Sequence, residues 1–236
     1  MNPNKRYFGD SRLNGLCAFC GSPAETEDHV PSRCFLDKPY PKEMPVVPCC
    51  HKCNQSFSKD EQYVSCMIDC MKANTVIPSE ITREKTRNTL MRRPKLQERI
   101  ASQKREFGGL TVYDYEKERF EKVIRKLAYG HLAFENDILP WDNTYTISMR
   151  LLSEMSDYQK QLFFQPYKGS VLPEVCSHAL DHVILYYEDD DNLSFYSYWN
   201  IIQKNRYGYC VSPEGNRVKI IIANYLAVEV HIDMAM

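Results

Sequence analysis

The stretch "CAFCGSPAETEDHVPSRCF", residues 17 to 35, decides how the first part of this chain folds. It opens with a Cys-x-x-Cys pair, and a second pair, "CHKC" at residues 50 to 53, follows after 29 residues. Two residues between thiolates let both sulfurs of one pair bind the same tetrahedral ion, and two such pairs complete a four-cysteine shell. The spacing therefore predicts a structural zinc site, with the ligands Cys17, Cys20, Cys50 and Cys53.

The second pair contains an ambiguity, because Cys49 and Cys50 compete for one ligand position. Only Cys50 has the two-residue spacing to Cys53, so Cys50 is the predicted ligand. The competing interpretation is a set of buried free thiols, which the matched spacing of the two pairs disfavours. The remaining nearby cysteines are predicted to be core thiols, and they are Cys34, Cys66 and Cys70.

Length and composition restrict the class of protein. With 236 residues the chain can form one large domain or two small ones, and its net charge of −1 gives no overall field that would attract nucleic acid. No apolar stretch is long enough to span a bilayer, and the polar start lacks the apolar core of a secretory signal. We therefore expect no membrane partner and a cytoplasmic location. In that compartment ten cysteines with paired spacing favour metal binding over disulfides.

The pattern along the chain predicts an α+β fold in three parts. Residues 10–75 are predicted to form a small zinc-stabilised module, in which prolines restrict the first part to loops and short strands before a helix that ends near residue 73. Residues 76–110 are predicted to be a basic helical connector, interrupted at Pro94. Residues 111–236 are predicted to form a C-terminal α+β domain.

Two patterns support the interpretation of the C-terminal domain. Residues 116–136 place apolar side chains at helical spacing, which predicts an amphipathic helix. These side chains are Phe120, Val123, Ile124, Leu127 and Leu132. Later segments are rich in Val, Ile, Tyr and Phe, and "EDDDN" at 188–192 and "SPEGN" at 212–216 separate them as predicted hairpin turns. The domain is therefore expected to end in an antiparallel sheet, and it is a candidate surface for a partner protein.

Inside the cysteine frame, the groups needed for phosphodiester cleavage lie close in sequence. Zinc bound by both pairs would bring Asp28 and His29 near Asn54. Carboxylate and amide oxygens suit Mg²⁺, and a neutral imidazole can take a proton from water. A base for the water and a cation for the leaving oxygen are the two requirements of such a reaction. The alternative is a packed histidine beside an exposed acid.

The combination of a Cys-x-x-Cys pair, "DHVP" at 28–31 and "VPCCHKCN" at 47–54 resembles the zinc-containing HNH endonucleases. The resemblance covers residues 17 to about 63. It implies a ββα-metal fold in which two strands and a helix hold one catalytic Mg²⁺ or Mn²⁺. It further implies that Asp28 and Asn54 are metal ligands, that His29 is the general base, and that DNA is favoured over RNA. Bacterial HNH proteins of this size, which the chain also resembles, often accompany phage defence.

One position departs from the family pattern. The middle asparagine of the family falls on Pro45 here, and proline offers no side-chain amide to orient His29. Either another group holds the imidazole, such as a backbone carbonyl, or activity is reduced. Pro45 therefore favours the alternative function, a non-catalytic zinc module that binds nucleic acid or a partner protein.

Further candidate side chains lie in the helix after the second cysteine pair and in the basic stretch. Glu61 follows Asn54 at helical spacing and is a candidate third ligand of the catalytic ion, while Lys59 could reach a phosphate. The competing interpretation is a solvated helix face. Residues 79–107 carry nine basic and four acidic side chains. They form either a solvated helix or a surface that tracks a phosphate backbone. The candidate contacts there are Arg92, Arg93 and Arg99.

Overall fold

The fold is α+β, as the sequence predicts, with helices and mainly antiparallel sheets. The structure is a computed structural model that describes residues 5–6, 13, 15–141, 143–175, 177–187 and 193–233. The strands are β1 Lys5–Arg6, β2 Thr26–His29, β3 Met44–Cys49, β4 Lys104–Phe107, β5 Leu110–Tyr113, β6 Thr144–Leu151, β7 Lys168–Gly169, β8 Ile184–Tyr187, β9 Leu193–Tyr196, β10 Asn200–Gln203, β11 Tyr207–Val211, β12 Arg217–Ile222 and β13 Leu226–Asp233. The helices are α1 His51–Ala73, α2 Glu84–Arg92, α3 Pro94–Ala101, α4 Lys117–Asn136, α5 Asp157–Phe164 and α6 His178–Asp181.

These elements form two compact units. The first unit comprises Met1–Gln55 and Ile124–Met236, and the second comprises Ser56–Val123. Helices α1 and α4 each contribute residues to both units. The predicted three-part organisation, with boundaries near residues 75 and 110, stays a prediction.

The N-terminal part of the first unit is a small sheet followed at once by α1. Its strand order is β1-β3-β2, and β2 runs antiparallel to β3 with Asp28 opposite Val47. The prolines of β3 supply no amide hydrogens, which keeps this sheet short. The prediction of short strands before a helix that ends near residue 73 is confirmed, because α1 ends at Ala73.

Helix α4 packs against this small sheet through its C-terminal half. Ala133 and Phe134 form one apolar cluster with Val30 and Val47. A Cβ atom at Gly130 would lie 2.7 Å from Cγ2 of Val30, so the close approach of helix and hairpin requires glycine at this position. The predicted apolar face of the helix is confirmed, since all of its members are buried, namely Phe120, Val123, Ile124, Leu127 and Leu132.

The rest of the first unit is largely β-structure. A five-stranded antiparallel sheet has the order β10-β11-β12-β13-β6, and a smaller sheet has the order β7-β9-β8. The predicted turn "SPEGN" is confirmed between β11 and β12, where Gly215 takes the left-handed conformation with φ of 69°. The other predicted turn, "EDDDN" at 188–192, lies outside the described residues, as does Cys176.

The second unit combines helices α2 and α3, and parts of α1 and α4, with the β4–β5 hairpin. Helix α2 ends at Arg92 and α3 begins at Pro94, which confirms the predicted interruption. Asp69 of α1 accepts hydrogen bonds from Arg83 at 2.9 Å and from Thr86 at 2.5 Å, so a buried carboxylate ties α2 to α1. Within the described ranges, no helix combines the length and the hydrophobicity that crossing a membrane requires.

Candidate metal centre and adjoining acid–histidine site

Four cysteine sulfurs converge in the first unit. The Sγ atoms of Cys17, Cys20, Cys50 and Cys53 all lie within 4.8 Å of one another. The sulfurs of Cys20 and Cys50 are 3.7 Å apart. A tetrahedron with zinc–sulfur bonds of about 2.3 Å has edges of about 3.8 Å, so the cluster fits zinc. The group can therefore hold a metal ion such as zinc, in the closed four-cysteine set typical of structural sites.

The backbone around the first pair folds into a tight turn. The amide of Gly21 donates to the carbonyl of Cys17 at 2.9 Å, and Gly21 has a φ of 71°. Trp141 covers this turn, because its Nε1 donates to the Cys17 carbonyl at 3.0 Å and its ring lies 3.0 Å from where a Gly21 Cβ would be. The sequence gives no sign of this contact, since the two segments are 124 residues apart.

The second pair sits at the start of α1, which places backbone donors beside its sulfurs. The amide of Cys53 donates to Sγ of Cys50 at 3.4 Å. At the first residue of the helix, the amide of His51 donates to the carboxylate of Glu25 at 3.1 Å. The first helical turn is therefore fixed both by its cysteines and by a side chain from the segment before β2. His51 itself is exposed.

The structure groups Cys50, and not Cys49, with the other three cysteines. Cys49 is fully buried beside them, and a hydrogen bond from its thiol is the largest factor lowering the pKa of Cys17. The same contact raises the pKa of Cys49, whose thiol also donates to the carbonyl of Cys50 at 3.3 Å. Burial is the main factor raising the pKa of Cys53, and a bound cation would reverse that effect by favouring the thiolate.

Asp28 is held by a lysine, Lys126, that no sequence motif marks. Oδ2 of Asp28 lies 2.6 Å from Nζ of Lys126, whose side chain is only 2% exposed. Nζ also donates to Oγ of Ser32 at 2.7 Å and lies 5.6 Å from the centre of the Phe19 ring. A candidate metal ligand therefore already has a buried cation beside it.

Asn54 reaches the strand that carries Asp28. Its Nδ2 donates to Oγ1 of Thr26 at 3.1 Å and to the carbonyl of Glu27 at 3.5 Å. Thr26 and Asp28 are two residues apart on β2, so their side chains share one face of the strand. The structure thus brings Asn54 to the face of β2 from which Asp28 projects.

His29 is the last residue of β2, and its Nδ1 atom is buried. Neighbouring side chains in a regular strand point to opposite faces, and His29 still pairs in register with Val46, so the strand by itself does not bring the imidazole to Asp28. Pro45 has no side-chain amide that could orient the imidazole of His29. Instead its carbonyl accepts from the amide of Val30 at 2.9 Å and fixes the backbone directly after His29.

The other predicted site residues lie in the second unit. Glu61 is 7% exposed on α1, whereas Lys59 is exposed. Arg99 makes a two-pronged ion pair with Glu116, at 2.5 Å and 2.6 Å, which occupies its guanidinium. The roles predicted for these three residues stay predictions.

The junction of α2 and α3 carries a group of exposed basic side chains. We call Arg92, Arg93 and Lys95 the basic corner, because all three are exposed and form no ion pair within the part of the chain that the structure describes. The sequence alone could not separate these side chains from the ion-paired Arg99.

Comparisons with protein-family models, with curated proteins and with solved structures found no match to this chain. The chemistry of the site is therefore the guide to the class of this protein. That site has a four-cysteine cluster able to hold zinc and, on the adjoining strand and helix, a carboxylate, an imidazole and an amide.

Proposed function

We propose that this chain is a metal-dependent endonuclease of the HNH type, which hydrolyses phosphodiester bonds with His29 as the general base. The main support is the arrangement of β2, β3 and α1, in which Asn54 contacts the strand that carries Asp28 and His29. The zinc assigned to the four cysteines has a structural role, because a closed thiolate shell leaves no position for water or substrate.

The donor atoms around Asp28 fit a hard divalent cation. Oδ2 faces Lys126, while Oδ1 makes no hydrogen bond to the described part of the chain. Asn54 uses its amide nitrogen on β2, so its carbonyl oxygen is the atom left for a ligand. Mg²⁺ is commonly bound through one or two carboxylates, with waters and substrate phosphates completing the shell. Asp28 and Asn54 would hold Mg²⁺ or Mn²⁺ in this way, and Glu61 stays a candidate third ligand.

His29 would supply the proton transfer. Because Nδ1 is buried, Nε2 is the nitrogen assigned to accept the proton of the attacking water. The cation, when bound, supplies charge stabilisation at the leaving 3′ oxygen. Cleavage would leave a 5′-phosphate end, as the resemblance to HNH endonucleases implies.

The substrate is proposed to be nucleic acid, with DNA favoured over RNA by the same resemblance. The basic corner is the surface best suited to phosphate contacts, because its cations are exposed and no acidic partner neutralises them among the described residues. Lys59 is a further candidate contact. A role in phage defence, and a partner protein on the C-terminal domain, belong to the same proposal.

A second candidate function is a non-catalytic zinc module that binds nucleic acid or a partner protein. The ion pair between Asp28 and Lys126 favours it, since a buried ammonium already neutralises the carboxylate. Pro45 favours it as well, because it leaves the imidazole of His29 without the amide that the family pattern provides.

Nicking of supercoiled plasmid, with Mg²⁺ or Mn²⁺, separates the two functions. We expect wild type to cut and His29→Ala to cut about 10²–10⁴-fold more slowly, because base catalysis is worth that much. Raising the metal concentration should restore part of the activity of Asn54→Ala, whose defect is metal binding, but none of that of His29→Ala. His231→Ala, at an exposed residue of β13, is the control that should cut like wild type.

Two outcomes would contradict the nuclease proposal. One is equal cutting by wild type and His29→Ala. The other is no cutting by wild type of DNA or RNA with Mg²⁺, Mn²⁺ or Ni²⁺, in which case the non-catalytic module is the better description.

A further inference from the structure

The ion pair between Lys126 and Asp28 places a fixed positive charge at the proposed cation site. Their polar atoms are 2.6 Å apart, and the side chains are 2% and 13% exposed. A lysine usually extends its ammonium to water, but here Ser32 accepts from it at 2.7 Å and the Phe19 ring lies below it. The ammonium is therefore held in place beside the carboxylate.

This burial also restricts what Lys126 can do. At 2% exposure its ammonium cannot contact a nucleic acid on the surface. Its effect must act through Asp28, by neutralising that carboxylate and by repelling any cation that approaches Oδ1. Lys126 is thus a positioning residue for Asp28, and not a substrate contact.

We infer that Lys126 offsets the charge of Asp28 at the cation site, so that Mg²⁺ or Mn²⁺ binds weakly to the protein alone and firmly only together with a substrate phosphate. The inference rests on the proposed function and deepens it. Affinity for a divalent cation depends on the number of charged ligands, and the ammonium of Lys126 offsets the carboxylate of Asp28. A phosphate oxygen of the nucleic acid supplies the missing negative charge.

The size of the effect follows from the influence of one neighbouring charge. A single charge within about 4–6 Å changes the proton affinity of a carboxyl group by about 10- to 1,000-fold. The same neighbouring charge should change the affinity for a divalent cation by at least the lower of these factors. Removal of the ammonium should therefore raise Mn²⁺ affinity by about tenfold or more.

The test measures Mn²⁺ binding without nucleic acid, by calorimetry on zinc-loaded protein. Lys126→Met should bind Mn²⁺ at least about tenfold more tightly than wild type, and adding Asp28→Asn to it should abolish the gain. Lys122→Met is the matched control, because Lys122 lies one turn earlier on α4 and pairs with Asp60 at 2.7 Å. It should bind Mn²⁺ like wild type.

A second measurement does not depend on the folding of the Lys126 variant. His29→Ala protein, which should not cut, is titrated with Mn²⁺ in the presence and absence of a short DNA duplex. We expect clearly tighter Mn²⁺ binding with the duplex. Equal affinity in both conditions would overturn the inference, and so would an unchanged affinity in a folded Lys126→Met protein.

These results can be told apart from failure of the proposed function. If Lys126→Met gains Mn²⁺ affinity through Asp28 while wild type cuts nothing, the inference about Lys126 stands and the nuclease proposal fails. If wild type cuts while Lys126→Met gains no affinity, the nuclease proposal stands and Lys126 is only a structural ion pair.

Discussion

Replacing Cys49 and Cys50 in turn is expected to separate a zinc ligand from a residue that hydrogen-bonds to a ligand. Both thiols are buried at the end of β3 and the start of α1. Only Cys50 belongs to the cluster of four sulfurs, whereas Cys49 contacts the sulfur of Cys17. Alanine at position 50 therefore removes a candidate zinc ligand, whereas alanine at position 49 removes a thiol that lies beside the ligands.

General values for hydrogen bonds and for zinc ligands set the expected size of each change. A hydrogen bond to a charged acceptor contributes about 1.5–3 kcal/mol, so Cys49→Ala should lower zinc affinity roughly 10- to 150-fold, near the range seen when partners of metal ligands are removed. Structural zinc contributes about 10–16 kcal/mol in zinc-finger peptides. An equal share for each of four ligands is about 2.5–4 kcal/mol, and Cys50→Ala also opens a coordination position and destabilises the turn that begins α1.

Because these affinity ranges overlap, the deciding assay counts sulfurs. Cobalt(II) replaces zinc, and the intensity of its sulfur-to-metal charge-transfer absorption reports the number of bound thiolates. Cys49→Ala should keep the full intensity of wild type, and Cys50→Ala should lose about a quarter of it, as one of four ligands is removed. Cys70→Ala, a buried thiol of the second unit, is the control and should keep full intensity.

Loss of a quarter of the absorption in Cys49→Ala, with full intensity in Cys50→Ala, would reverse the ligand assignment. Wild type that binds neither cobalt nor zinc would refute the metal centre altogether.

The buried His131 and the basic corner give two further predictions. Burial holds the pKa of His131 well below 6.5. Below about pH 6.5 the imidazole of His131 therefore gains a proton in the unfolded chain but not in the folded one. As the pH falls, the free energy of unfolding should decrease by up to about 1.4 kcal/mol per pH unit. In urea titrations at pH 6.5 and 5.5, His131→Gln should lack this part of the pH dependence, whereas His231→Gln, at an exposed position, should keep it. Identical pH dependence in wild type and both variants would contradict the assignment of this effect to His131. Reversing Arg92 and Arg93 to Glu should lower the slope of log affinity for DNA against log salt by about two, one for each lost phosphate contact. Lys204→Glu, at an exposed residue of the first unit, should leave that slope unchanged, and an unchanged slope in the double variant would place the DNA elsewhere.

Features with a local physical cause could be predicted from the sequence. The spacing of each cysteine pair follows from the geometry of one short turn, so the four-sulfur cluster was predictable without knowing the fold. Pro94 ends a helix because it lacks an amide hydrogen and clashes with the preceding turn. The apolar face of α4 follows from the period of the α-helix.

Lys126 could not be predicted, because its environment is created by distant segments. In sequence it is a lysine among the apolar positions of an amphipathic helix, which usually indicates a side chain that reaches water. It meets Ser32 only because Gly130 lets α4 approach Val30 closely, and 94 residues separate Lys126 from Ser32. A glycine within a strongly amphipathic helix was the one signal that a close approach was needed.

Two separate parts of the chain determine the surroundings of Asp28, namely the region of the cysteine pairs and helix α4. The second cysteine pair lies where β3 ends and α1 begins, and Asn54, directly after it, contacts β2. Helix α4 independently brings Lys126 to the carboxylate. Loss of zinc should therefore disturb the geometry of the whole site, whereas loss of Lys126 should change its charge and leave Asn54 against β2. The two perturbations act on the same carboxylate by different means. We expect a metal ion at the four cysteines to control whether Asn54 meets β2, and we propose that Lys126 controls how strongly Asp28 attracts a cation.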